Sequence, residues 1–291
     1  MSITTADVKN LRELTGAGIL DCKKALQETN GNVDEAVEFL RRKGLAAASK
    51  KASREANDGL VSARLSSDGK TGVLVEVNCE TDFVARTDDF KNFVEAIARQ
   101  LLAQPELNSV EALLNASFID NKGNTVAQQL TETIAKLGEN MMVRRVANFS
   151  LQGDGMLDSY IHTGGRVGVL VEVGGGNPSD PQFANLAHDV ALQIAAAAPS
   201  YVSETDIPAA VVEAEKEVYR AQLAEDKKPD NIKERIIEGK LKKWMSEVSL
   251  LGQEFVKDND FTIEKLLAKQ SKASGQELKI RRFARFELGV S

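Results

Sequence analysis

Apolar residues recur with helical spacing over the first fifty positions. Val8, Leu11 and Leu14 share one face before Gly16 and Gly18 break the pattern. A short helix is predicted near Asp21–Glu28, stopped by the turn pair Asn30-Gly31. Asn32 with Glu35 three residues on resembles a capping box with Asn in place of Ser or Thr. Val33, Ala36, Val37 and Leu40 then give the stripe of an amphipathic helix. Three short helices make a bundle of about 45 residues, small for a core of its own. Leu45–Ala56 is rich in Ala and charge and reads as a helical or flexible linker.

From residue 57 the period changes. Leu60–Leu65 and Gly72–Val77 read as strands around the turn Ser67-Asp68-Gly69-Lys70. The second is almost wholly apolar, which predicts a central strand. Phe90, Phe93, Val94, Ile97 and Leu101 line one face of a helix that ends before Pro105. Residues 105–125 show no clear period. Val126–Leu137 reads as a helix and Met142–Leu151 as a strand.

The pattern then repeats. A shift of 96 places Asp58-Gly59 on Asp154-Gly155, Gly69 on Gly165, and Gly72–Val77 on Gly168–Val173. A shift of 93 places Phe90, Phe93, Ile97, Gln100 and Leu101 on Phe183, Leu186, Val190, Gln193 and Ile194, with Pro105 and Pro199 beyond. VRRVANFSL (143–151) falls on IRRFARFEL (280–288) at a shift of 137. Each copy therefore has a hairpin, a covering helix and a returning third strand, an α+β arrangement. The larger last shift requires an insertion in the second copy. Within 206–248, Val211, Ala214, Val218 and Ala221, then Ile237, Leu241, Trp244 and Val248, keep heptad steps on either side of the turn Asp226-Lys227-Lys228-Pro229-Asp230. A protruding antiparallel hairpin fits, as do two separate surface helices. The expected division is 1–52, a helical domain and linker; 53–151, the first core copy; 152–205 with 249–291, the second; and 206–248, the insertion.

Composition narrows the chemistry. The 291 residues carry a net charge of −6, which argues against a broad nucleic-acid footprint. Two His and two Cys exclude a His/Cys metal cage, and Cys22 and Cys79 read as reduced cytosolic thiols. No apolar run reaches the ~18 residues of a membrane span. The start, MSITTADVKN, lacks the basic and apolar regions of a secretion signal. The expectation is a cytoplasmic protein that is not an enzyme, with no cofactor and no metal.

Several groups invite a functional reading. Gly174-Gly175-Gly176, between a strand and a helix, has the layout of a phosphate cradle, but lacks a GK[ST] or GxGxxG pattern; a flexible turn is the simpler reading. Glu76 and Glu172 occupy equivalent mid-strand positions, as an acid/base pair or, more simply, as solvent-facing side chains. His188 reads as a surface or boundary residue, and His162, near Tyr160 and the Gly164-Gly165 turn, as a candidate partner contact. Neither Cys has a His partner that would make it a nucleophile. Thr81-Asp82-Phe83-Val84 follows the end of a central strand. Phe83 there is a wedge on a loop, or it folds back into the core while Thr81 or Asp82 caps a turn; the spacing fits both.

LTGAGILDCKKALQETNGNVDEAVEFLR (14–41), VEVNCETDFVAR (75–86), KLGENMMVRRVA (136–147), GGRVGVLVEV (164–173) and EVSLLGQEFVKD (247–258) resemble the bacterial elongation factor Ts family, in the family's order. The resemblance implies a ubiquitin-associated-like (UBA-like) N-terminal bundle, a duplicated core of two small antiparallel three-stranded sheets with covering helices, and an inserted antiparallel coiled-coil hairpin. It implies guanine nucleotide exchange on elongation factor Tu, with GDP and Mg2+ expelled so that GTP can reload. It assigns Thr81, Asp82, Phe83 and Val84 to Mg2+ dislocation from that partner, and the N-terminal domain to its nucleotide-binding domain. Tyr160 and His162 are further candidate contacts. Either a heterodimer or a dimer of heterodimers is compatible, and no direct contact with nucleic acid or membrane is implied. Two departures stand out. Many members carry His in a motif AMHVAA, where this chain has Leu192-Gln193, and many continue into a C-terminal helix beyond the point where this chain stops at Ser291. The competing reading is a scaffold with a UBA-like domain and no exchange activity.

Overall fold

The computed structural model describes residues 3–226 and 228–290. Lys227, inside the predicted turn, and Ser291 lie outside them. Three helices come first: α1 (Thr5–Thr15), α2 (Ile19–Glu28) and α3 (Val33–Lys51). They close on Val8, Leu11, Cys22, Ala25, Leu26 and Ala36. Thr4 and Asp7 form a reciprocal capping box at the start of α1. The one expected at Asn32 is altered: Asn32 accepts from the Glu35 amide, but Glu35 takes the Asn32 side-chain amide and leaves the backbone N–H. Leu45–Lys51 continues α3, so most of the presumed linker is helix.

The first core copy comprises β1 (Asp58–Leu65), β2 (Thr71–Cys79), the single turn α4 (Asp82–Ala85), α5 (Asp88–Ala103), α6 (Val110–Asn115), the small strands β3 (Ser117–Phe118) and β4 (Asn121–Thr125), α7 (Val126–Leu137) and β5 (Met141–Ser150). The second comprises β6 (Gly155–Ile161), β7 (Val167–Gly174), α8 (Pro181–Ala197), the helices α9 (Ala209–Gln222) and α10 (Asp230–Val248), β8 (Glu254–Phe255), β9 (Asp258–Thr262), α11 (Ile263–Ser274) and β10 (Lys279–Glu287). Each copy forms an antiparallel three-stranded sheet, in the orders β1-β2-β5 and β10-β7-β6, with the apolar strand in the middle.

The repeat runs deeper than the hairpin, helix and third strand. Residues 105–125 and 249–262 each contribute a two-stranded hairpin, β3–β4 and β8–β9, followed by α7 and α11, each ending in a left-handed glycine, Gly138 and Gly275. Gln100 on α5 and Gln193 on α8 hold these hairpins alike. Each side chain is buried, donates to a hairpin carbonyl (Ser117 or Glu254) and accepts a hairpin N–H (Ile119 or Val256), at 2.8–3.1 Å. Gln193, where many relatives of the resembled family carry His, is thus a buried structural amide.

The two sheets stack on each other. Val73, Val75 and Val77 of β2 face α5, while Leu74 faces the other sheet and meets Val61, Leu157 and Leu170 there. Val169, Val171 and Val173 face α8 in the same way. The order of layers is helix, sheet, sheet, helix. Gly72 and Gly168 let the central strands approach: a Cβ on Gly72 would lie 2.7 Å from Leu170, and one on Gly168 2.4 Å from Val61.

This stacking corrects the reading of Glu76 and Glu172 as solvent-facing. Both are fully buried, because the face opposite the covering helix meets the other copy and not water. Glu76 pairs with Arg145 at 2.6 Å and Arg144 at 3.9 Å; Glu172 pairs with Arg282 at 2.8 Å and Arg281 at 3.0 Å. A register shift at each arginine pair brings consecutive side chains to one carboxylate. Arg145 then lies over Phe286, and Arg282 over Phe149, 4.5 and 4.3 Å from the ring centres. Each arginine also donates to a backbone carbonyl of the opposite copy, Glu287 or Ser150. The two carboxylates are anchors of the inter-copy seam, not an acid/base pair.

α9 and α10 leave and re-enter the second copy at one point, where Tyr201 bridges Ser249. They contact each other through Arg220–Glu234 at 3.8 Å and Lys240–Gln222 at 3.1 Å. Among their described residues only Ile237 is fully covered. No helix of the described residues is long and apolar enough to cross a membrane.

Candidate partner-binding site

The loop between β2 and α5 is where the two copies differ most. The shift is 96 before it and 93 in the helix after it, so the first copy is three residues longer there. The extra residues make α4. Thr81 caps this turn, its hydroxyl accepting from the Val84 amide at 3.4 Å. Val84 and Ala85 are buried against β2 and α5. Phe83, immediately before them, is 79% exposed, which removes the alternative that it folds into the core. An aromatic ring left in water costs apolar free energy that a partner pocket recovers, about 2–3 kcal/mol. Asp82 is half-buried and bridges to Arg86 at 2.8 Å.

The turn is held from behind by residues outside the sequence reading. The Glu139 carboxylate accepts both the Thr81 N–H, at 3.0 Å, and the Thr81 hydroxyl, at 2.6 Å. Glu80 accepts the Asn140 N–H at 2.6 Å, and Asn140 donates to the Arg54 carbonyl at 2.7 Å. Glu139 and Asn140 lie in the block KLGENMMVRRVA, which was a usable signal, but their target is 58 and 60 positions away. The Cys79 thiol is buried under this turn. Desolvation, then the charges of Glu139 and Asp58, push it up to about 12, so it stays protonated and is no nucleophile.

A second apolar display lies on the helical bundle. Leu14, Ile19 and Leu20 are exposed, Leu20 by 81%. The bundle reaches the core through α3 on α7, where Gly44 meets Ala135, and through Gly16, which abuts Lys136. Lys136 in turn bridges to Asp89 of α5 at 2.7 Å.

Tyr160 on β6, His162 just past its end and His188 on α8 form a third cluster, in the second copy. Tyr160 and His162 are in hydrogen-bond contact at 3.1 Å, and His188 meets Asp158 at 3.0 Å with its ring edge-on to Tyr160. His188 is exposed, in keeping with its surface reading. The structure therefore joins Thr81–Val84 in one turn and Tyr160 with His162 in another patch. Gly174–Gly176 has a packing reason instead of a flexible one. A Cβ there would strike Arg281, the Glu277 carbonyl and the Phe183 ring in turn, so the three glycines are tightly packed. Among the described residues no group of three or more His, Cys, Asp or Glu is placed to hold a metal ion.

A family model described as Elongation factor TS matches residues 80–290. The chain is 50% identical to elongation factor Ts of Clostridium perfringens (strain SM101 / Type A) over 287 residues, 99% of this chain and 93% of that protein. The protein of the same name from Clostridium novyi (strain NT) is 47% identical over 287 residues, with the same coverage. That from Trichlorobacter lovleyi is 46% identical over 292 residues, again 99% and 93%. The chain belongs to the elongation factor Ts family. Its role is that of the family, nucleotide exchange on elongation factor Tu during translation elongation. The mixed fold of small antiparallel sheets and helices agrees with that membership.

Proposed function

We propose that the chain drives GDP and its Mg2+ from elongation factor Tu by inserting Phe83, with Thr81, Asp82 and Val84 shaping the turn that presents it. The observation that carries this reading is an exposed Phe83 on a turn whose cap, Thr81, is held by Glu139 and whose last residues, Val84 and Ala85, are buried. Exchange makes and breaks no covalent bond, so no acid, base or nucleophile is required. What is required is tighter binding to the nucleotide-free partner than to the GDP form. The coupling is reciprocal: if the chain weakens GDP, GDP weakens the chain by the same factor. Moving a population from 1:99 to 99:1 takes about 5.5 kcal/mol. One buried Phe supplies about 2–3 kcal/mol, so further contacts must hold the complex.

The helical bundle 1–52, taken as UBA-like, offers Leu14, Ile19 and Leu20 to the partner's nucleotide-binding domain. The second core copy, 152–205 with 249–291, offers Tyr160 and His162, and the inserted 206–248, taken as a coiled-coil hairpin, extends the contact. The first copy, 53–151, carries the wedge. Asp82 brings negative charge towards an anionic nucleotide and its cation, where it disturbs the metal's water shell. The chain acts in the cytoplasm on a protein, as a heterodimer or dimer of heterodimers, with no catalytic group of its own. The test is release of fluorescent GDP from elongation factor Tu with and without the chain. Acceleration is expected; an unchanged rate refutes exchange and leaves the scaffold reading.

A further inference from the structure

We propose that Glu139 is a positioning residue for exchange: its carboxylate locks Thr81 and so fixes the direction in which α4 presents Phe83. The proposal rests on the wedge reading of Phe83. α4 is a single turn, and one turn does not hold itself in water. Its own cap is weak, since Thr81 accepts the Val84 amide at a long 3.4 Å. Phe83 is exposed and cannot orient itself by packing. The polar restraint comes from Glu139, which takes the N–H and the hydroxyl of Thr81 together. Both are charge-assisted bonds, stronger than neutral ones. Glu80 reciprocates towards Asn140 at 2.6 Å, so two carboxylates cross between the end of β2 and the start of β5.

The second core copy serves as an internal control. At the shift of 96, Glu80 and Thr81 correspond to Gly176 and Asn177; at 137, Glu139 and Asn140 correspond to Gln276 and Glu277. That end is closed by close packing at glycines: a Cβ on Gly175 would sit 1.9 Å from the Glu277 carbonyl, and one on Gly174 2.5 Å from the Arg281 side chain. The same topology therefore forms without a carboxylate clamp. The clamp accompanies the copy that carries Phe83 and the three added residues.

Two measurements test this. The first is GDP release from elongation factor Tu across a titration of the full chain, for wild type, Glu139→Ala, Glu139→Gln and each in a Phe83→Ala background. Glu139→Ala is expected to lower the maximal rate about tenfold, the scale of a small misplacement, with the half-saturating concentration within about twofold. Glu139→Gln keeps one acceptor and falls between. In the Phe83→Ala background neither change adds a further loss. The second is amide hydrogen exchange of the free chain, which should quicken over residues 79–87 in Glu139→Ala while α5 and β5 keep their protection. A wild-type maximal rate, a loss confined to half-saturation, or unchanged exchange over 79–87 overturns the proposal; a direct partner contact by Glu139 gives the second of these. If Glu139→Ala does not fold, the partial losses expected of Glu139→Gln decide on the same terms. If the wild-type chain itself fails to accelerate release, the exchange reading fails first, while the hydrogen-exchange result still reports separately on the clamp.

Discussion

Phe83 is a large ring left in water, on a turn whose neighbours Val84 and Ala85 are buried, and the proposed wedge depends on that exposure. The residues that make this tolerable are polar and lie behind it. One of them has a measurable side effect. Burial first, then the charges of Glu139 and Asp58, hold the Cys79 thiol protonated, with its pKa raised from 9.0 to about 12. The folded value lies above the unfolded one, so the stability tied to the neutral thiol is complete below about pH 9 and is lost as pH climbs towards about 12. Native Cys79 should resist iodoacetamide at about pH 8, where an exposed thiol is partly ionised, and react once the chain is unfolded. Labelling of native Cys79 at the unfolded rate would show that the turn opens freely. At this scale the motif Thr81–Val84 was legible, because it is contiguous. Glu139 was not, because nothing local in a sequence says which N–H a distant carboxylate will take.

At the scale of elements, period decided what could be read. Val126–Leu137 keeps a clean apolar stripe and forms α7 with those same bounds. β2 and β7 are apolar enough to be placed centrally in their sheets, and they are central. The hairpins β3–β4 and β8–β9 carry no readable period, because β3 and β8 have two residues each, β4 and β9 are five mostly polar ones, and the pair owes its place to a neighbour. That neighbour is the buried glutamine of α5 or α8. Gln193→Ala should therefore leave the N–H of Val256 and the carbonyl of Glu254 without their partner and cost about 1–3 kcal/mol in urea unfolding. Loosening should be local, with hydrogen exchange rising in β8–β9 and not in β3–β4. A uniform rise in both hairpins would contradict the assignment of one glutamine to each.

At the scale of the whole molecule, the duplication was visible in three shifts, but its purpose was not. Alternating polar positions such as Glu76 and Glu172 ordinarily mark a wet sheet face. Here two such faces close on each other, and the carboxylates become buried ion pairs whose arginines reach across to Phe286 and Phe149. Removing one partner of a buried pair is far costlier than the pair is worth, which explains a seam built with redundancy, two arginines to each glutamate. The result is two sheets joined through a buried, ion-paired seam.

If Phe83 makes the chain prefer the nucleotide-free partner, that preference must show in binding. The most direct measurement is the pair of dissociation constants of the chain with elongation factor Tu, nucleotide-free and GDP-saturated, for wild type and Phe83→Ala. Linkage predicts that wild type binds the nucleotide-free form about a hundredfold tighter or more, and that Phe83→Ala shrinks this ratio about tenfold or more. Equal affinities for the two forms, or a ratio untouched by the loss of Phe83, would contradict it.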